Sequence, residues 1–114
     1  MEEQSVFTDY FGDYPLIRIL DFLILSREMD YSMTEICKNA GVGWTAFSEL
    51  WPGLIEKEIV TPTRKIGNAK LFKLNIKNSW VKGLIKMDKV ITEIETKKFL
   101  GNQISGQKIK VATN

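Results

Sequence analysis

Histidine is absent from the chain. That removes the commonest general base, the Ser-His and Cys-His nucleophile pairs and the usual zinc ligand. Cysteine occurs once, at Cys37, so neither an intramolecular disulfide nor a cysteine-built metal site can form. No apolar run is long enough for a membrane span: the strongest, from Leu16 to Leu25, is interrupted by Arg18 and Asp21. The opening Met1-Glu2-Glu3-Gln4 is acidic where a secretory signal is basic, which predicts a cytoplasmic protein. Paired carboxylates such as Glu56/Glu58 and Glu93/Glu95 stand two apart and point away from each other on a helix. Gly41-x-Gly43 lacks the strand and the further glycine of a phosphate-cradling loop. These absences predict a binding protein rather than an enzyme, with no cofactor, no metal and no membrane.

What is present is ordinary globular material. The 114 residues are 44% hydrophobic and 26% charged, enough for one domain around one core. The formal charge of +2 hides a sharp segregation. The first sixty residues carry four bases against eleven acids, a net of −7; the remainder carry twelve bases against three acids, a net of +9. Such asymmetry points to a polyanionic partner for the basic half.

Along the chain, residues 1–13 are polar and acidic, with Val6, Phe7, Tyr10 and Phe11 at the spacing of a short helix that ends at Gly12. Pro15 suits the first turn of a second helix. Leu16, Ile19, Leu20, Leu23 and Ile24 mark its inward face, and Ile17, Phe22 and Leu25 cover much of the other side. Asp30-Tyr31 breaks the period. Ser32-Met33-Thr34-Glu35 is then a capping box that opens a short helix to about Asn39. Ile36 and Cys37 face inward on it, and Cys37 reads as a small buried hydrophobe rather than a redox sensor or a ligand. Gly41 makes a tight turn and Val42 plugs the core. A longer helix follows from Gly43 to Glu58, with Ala46, Phe47, Leu50, Trp51, Leu54 and Ile55 as its stripe and a kink expected at Pro52. The period then alternates. Ile59 to Thr63 and Lys70 to Ile76 form a hairpin around a turn at 65–69, with Phe72, Leu74 and Ile76 on one face and Leu71, Lys73 and Asn75 on the other. Pro62 confines the first strand to an edge or a bulge. Asn78 or Ser79 caps a last helix to about Leu100.

Three segments within this order resemble the winged helix-turn-helix domain of archaeal and bacterial transcription regulators. Thr34-Glu35-Ile36-Cys37-Lys38-Asn39-Ala40-Gly41-Val42 looks like that family's "T-E-I-A-x-x-x-G-V" core. Trp51-Pro52-Gly53-Leu54-Ile55-Glu56-Lys57-Glu58-Ile59-Val60 is similar to "W-P-x-L-x-E-x-G-I-V", the end of the third helix in archaeal members. Thr63 to Asn75 is similar to the wing, "T-R-x-I-G-x-A-x-L-Y-x-L-N". The expected architecture is mainly α with a small β-hairpin: a short N-terminal helix or arm in 1–13, a winged helix-turn-helix in 14–76, a C-terminal dimerisation helix in 77–100 and a loose tail in 101–114.

The resemblance implies a homodimeric, double-stranded DNA-binding transcription regulator, with repression as the expected mode. Trp44, Thr45, Ser48 and Glu49 at the start of the third helix are the expected reading head in the major groove. No base occurs between Lys38 and Lys57, a departure from the Arg, Lys, Asn or Gln that usually match base edges. Arg64, Lys65, Asn68 and Lys70 are expected to converge on the wing and to grip backbone or minor groove. Trp80, Leu84, Met87, Ile91 and Ile94 alternate four and three apart, the seam of a two-helix dimer contact. The alternative is a winged-helix module that docks a protein in a transcription, replication or segregation assembly, with Trp44 as an exposed anchor. Single-stranded nucleic acid is a weaker option, because most aromatic residues fall on core faces.

Overall fold

The computed structural model describes residues 5–108. Ser5 opens helix α1 (Val6–Phe11): its hydroxyl accepts from the Thr8 N–H at 3.1 Å. Gly12 ends α1 at φ 99°, a conformation that a side chain resists. Pro15 takes the first position of α2 (Pro15–Leu25), where no N–H is needed. Ile19, Leu20, Leu23 and Ile24 on α2 are buried, as their spacing predicts. Leu16 lies at the open end of the helix, half-exposed. On the opposite face Ile17 and Phe22 pack against the core, but Leu25 is 73% exposed at the helix end.

The capping box forms as expected. The Ser32 hydroxyl accepts from the Glu35 N–H, and the Glu35 carboxylate accepts from the Ser32 N–H at 2.9 Å. Helix α3 (Met33–Ala40) then ends in Gly41, left-handed at φ 70°. The Arg18 guanidinium donates to the Gly41 carbonyl at 2.9 Å, so α2 holds the turn between α3 and α4. A Cβ at Gly41 would stand 2.9 Å from that guanidinium. The Cys37 thiol donates to the Val42 carbonyl at 3.0 Å and is buried, which agrees with a packing role.

Helix α4 (Trp44–Glu56) runs through Pro52 and buries Phe47, Trp51 and Leu54, whereas Ile55, expected on the same stripe, is 38% exposed. It closes in a full Schellman motif: the Glu58 N–H donates to the Ile55 carbonyl and the Ile59 N–H to the Leu54 carbonyl. This geometry needs a left-handed residue, and the position holds Glu58 at φ 57° instead of glycine. Asn75 and Asn78 brace it, each donating a side-chain N–H to the Glu58 carbonyl.

The sheet departs from the sequence expectation. Tyr31, read as part of a break, and the cap residue Ser32 form a strand (β1) that pairs antiparallel with the returning arm of the hairpin, Tyr31 against Phe72 and Ser32 against Leu71. With β2 (Val60–Ile66) and β3 (Ala69–Leu74) it forms a three-stranded sheet in the order β1-β3-β2. Pro62 therefore sits on an edge strand, and the register shifts between Pro62 and Lys65. The turn tightens to Gly67-Asn68, with Gly67 at φ 62° in the first central position, as a two-residue hairpin loop requires.

The two faces of β3 also differ from strict alternation. Phe72 and Leu74 are buried as expected, but so is Leu71, at 7% exposure. Leu71 adjoins Asp30, Ser32 and Arg64, with which it lines a shallow hollow on that side. Ile76, past the end of β3, is 49% exposed rather than inward.

Asn78 caps the last helix, accepting from the N–H groups of Trp80 and Val81 at 2.8 and 3.1 Å. Helix α5 (Ser79–Lys108) continues past Leu100 and through Gly101, where a loose tail was expected; residues 109–114 of that tail lie outside the described residues. One core unites α1 to α4, the sheet and the first turns of α5, around Phe7, Ile19, Ile36, Phe47, Leu74 and Val81.

Candidate nucleic-acid interface

The start of α4 presents one open face. Thr45, Ser48 and Glu49 are exposed together by i, i+3, i+4 spacing, and Trp44, also exposed, lies at the edge of this face above the buried Phe47 and Trp51. Trp44 is 54% exposed and stacks on Phe47, ring centres 5.6 Å apart. The column continues through Phe47 and Trp51 at 5.0 Å and turns edge-on to Phe72 of β3 at 5.1 Å. Rigid aromatic packing thus joins the start of α4 to the hairpin stem.

The hairpin stem is buried at Val60 and Leu74, whereas every residue from Pro62 to Lys70 is exposed. At this projecting end Lys65 and Lys70 are direct cross-strand partners. Like charges facing across a ladder destabilise it, so the pair has an electrostatic reason to attract an anion. The Lys70 ammonium also stands 6.0 Å from the centre of the Phe72 ring, at the end of the aromatic column. Asn68 occupies the turn.

Arg64 behaves differently from its neighbours. Its guanidinium forks onto the Asp30 carboxylate, Nε to Oδ2 at 3.0 Å and a terminal nitrogen to Oδ1 at 3.2 Å. The Thr63 hydroxyl donates to the same carboxylate. These contacts hold the Asp30 carboxyl down at about 2, with the Arg64 bond as the largest cause. Arg64 was expected to converge with the lysines; in the structure its charge is matched at the hairpin base. Asp30 was missed because a lone acid between two helices carries no local sign of a partner thirty-four residues away.

The expected seam on α5 divides between two surfaces. Ile91 is 3% exposed and Leu84 packs on the core, in the part of α5 turned toward its own domain. Here α1 docks on α5, and the Tyr10 hydroxyl donates to the Glu95 carboxylate at 2.7 Å. Trp80, Met87 and Ile94 stay open at 53%, 47% and 41%, and Val90 at 41% joins them in one stripe. Beside Trp80 lies a hollow of about 620 Å³, lined by Leu16, Leu20, Leu50, Leu54 and Ile59 together with Glu49 and Lys57.

Among the described residues no group of His, Cys, Asp or Glu could hold a metal ion, and no helix is long and apolar enough to cross a membrane. No family model matches the sequence, and no curated protein does. Solved structures do. An apo form of Lactococcus lactis ZitR superposes with a TM-score of 0.57 at 17% identity, over 92% of this chain and 80% of that one. The fold is a winged helix-turn-helix. MepR, a transcription regulator of the Staphylococcus aureus multidrug efflux pump MepA, matches at 0.54 and 19% identity, over 81% of this chain and 65% of its own. ZitR in complex with DNA matches at 0.53 and 19%, over 84% and 66%. The chain thus spans about two thirds of the length of these last two proteins. In the terms of this fold α3 and α4 are the helix-turn-helix, and β2 and β3 are the wing.

Proposed function

We propose that this winged helix-turn-helix chain is a double-stranded DNA-binding transcription regulator that works in the cytoplasm as a homodimeric repressor. Helix α4 lies in the major groove, with Trp44, Thr45, Ser48 and Glu49 toward the bases. Lys65, Asn68 and Lys70 of the wing meet the flanking backbone or minor groove. The open stripe of α5, Trp80, Met87, Val90 and Ile94, pairs with its counterpart, so that two wings address half-sites about one turn of DNA apart. Repression then follows from occluding polymerase and needs no catalysis. The observation that carries this reading is the exposed Lys65–Lys70 pair at the projecting end of the wing. The solved DNA complex of ZitR, a protein of the same fold, supports it.

The test is a gel shift on random duplex DNA at several salt concentrations. Binding weakens steeply with salt, because each neutralised phosphate releases counterions. Lys65→Ala with Lys70→Ala lowers affinity similarly on all sequences and flattens the salt slope by about two. A double variant that binds as tightly as the parent refutes the wing assignment. The absence of any base on α4 favours a second reading, a module that docks a protein, and no retardation even at low salt would select it.

A further inference from the structure

Beside Trp44, whose indole N–H can only donate, the open face of α4 carries hydroxyl groups and carboxylates. The Ser48 hydroxyl donates its proton inward to the Thr45 carbonyl at 3.0 Å, which leaves its lone pairs facing out. Pro52, exposed on the same face, has no N–H to return to the Ser48 carbonyl. Glu49 is exposed where this face meets the hollow that Lys57 and Trp80 also line, and among the described residues its carboxylate has neither an ion pair nor a hydrogen bond. Glu56 extends the same stripe one turn beyond Pro52. Nothing on α4 is a cation.

A carboxylate carried into the major groove is repelled by phosphates on both sides. Its presence is tolerated only where a base edge offers it a donor. Guanine shows N7 and O6 there and thymine shows O4, all acceptors, so both repel it. Cytosine shows the N4 amino group and adenine the N6 amino group. Adenine's amino group is flanked by acceptors on both sides, its own N7 and the O4 of the paired thymine, whereas cytosine's has an acceptor on one side only, the O6 of the paired guanine, and a C–H on the other, so cytosine repels the second carboxylate oxygen less.

We infer that Glu49 is a specificity-determining residue that selects a cytosine by accepting from its N4 amino group and excludes guanine and thymine at that position. The inference rests on the proposed DNA-binding reading. It divides the work between the two elements. The wing lysines supply affinity without regard to sequence, and the acidic helix supplies discrimination by penalising the wrong base.

The experiment selects bound sites from a random duplex pool with the full chain and with Glu49→Gln and Glu49→Ala, each checked for an unchanged thermal melt. The parent pool should show one position in each half-site at which cytosine is favoured roughly tenfold or more over guanine and thymine. Both variants should lose that preference, keep the others and bind unselected duplex several-fold more tightly, because a charge repelled by phosphate is gone. A duplex carrying N4-methylcytosine at that position, whose single methyl replaces the major-groove N–H while the other N–H still pairs with guanine, should cost the parent chain the same factor and leave the Glu49→Ala chain unaffected. Identical base preferences in parent and variants would overturn the inference and leave DNA binding standing. A parent that retains no duplex at low salt overturns the underlying reading and this inference with it.

Discussion

Asp30 and Arg64, thirty-four residues apart in sequence, meet in a two-pronged ion pair that ties the wing to the loop ahead of the helix-turn-helix. The Asp30 side chain is 16% exposed and that of Arg64 62%, so the pair has one sheltered partner and one facing water. The contact joins β2 to the loop ahead of α3, and it withdraws one cation from the wing surface proposed to meet DNA.

Asp30→Asn should release Arg64. Duplex binding at low salt then strengthens, and the salt slope steepens by about one, because one more cation is free to meet a phosphate. Anisotropy titrations at several salt concentrations measure this, and an unchanged slope would show that Arg64 is not available to DNA. The fork also has a pH signature. The folded carboxyl is depressed to about 2, so its contribution is present above the ordinary carboxylate range and is lost as pH falls through about 2. Carboxyl chemical shifts followed by NMR through that range report it directly.

Lys70→Glu should separate stability from binding. It replaces a like-charge cross-strand pair with an opposite-charge pair opposite Lys65, which stabilises the hairpin by about 0.5 kcal/mol. The same change should abolish detectable duplex binding. A variant that is both less stable and fully able to bind would contradict the arrangement at this end of the wing.

Glu58→Gly should stabilise the fold. Glu58 is held at φ 57°, where a side chain crowds its own backbone, while the Schellman bonds around it use only main-chain atoms. The cost of the left-handed conformation is about 1–2 kcal/mol, and glycine's extra freedom in the unfolded chain returns part of it. The net gain is about 1 kcal/mol, read as a rise of several degrees in the melting temperature. A lower melting temperature would mean that the Glu58 side chain contributes something its contacts do not reveal.

Asp88→Asn should also stabilise, most clearly at neutral pH. Burial pushes the Asp88 carboxyl up against the opposing pull of the Arg27 charge, and Asp21 is raised by burial, opposed by a hydrogen bond with Ser5 and aided least by the nearby Asp88 charge. A raised folded value means that the native state holds protons more tightly than the unfolded chain. The favourable contribution is therefore present below the ordinary carboxylate range and lost as pH rises through the raised value. Chemical denaturation at pH 4 and pH 7 checks the sign: the gap between parent and variant should widen at the higher pH.

Val90→Glu should convert a dimer into a monomer without unfolding it. The residue is 41% exposed between Met87 and Ile94, so the charge costs nothing until a second apolar stripe is pressed against it. Sedimentation of parent and variant decides the matter. A parent that sediments as a monomer at tens of micromolar would remove α5 from the proposed dimer contact.

Most of the helical framework is local physics and was legible along the chain. The Ser32–Glu35 box, Pro15 at a helix start, Gly41 at a helix end and the periodic stripes of α2 and α4 each act within one or two turns. The chain's charge segregation and the Lys65-to-Lys70 turn belong to the same class, because a tight hairpin brings near neighbours together. Tertiary structure decided what depends on distant partners. A two-residue strand has no period, so β1 exists only because β3 offers an unpaired edge. Arg64 looks like one more cation until Asp30 arrives from across the fold. The heptad seam of α5 is divided because α1 docks on one of its sides and leaves the other to water. Backbone periodicity says which residues share a face; which faces are covered is settled only when the remaining elements have packed, since burial belongs to the assembled surface and not to any segment of it.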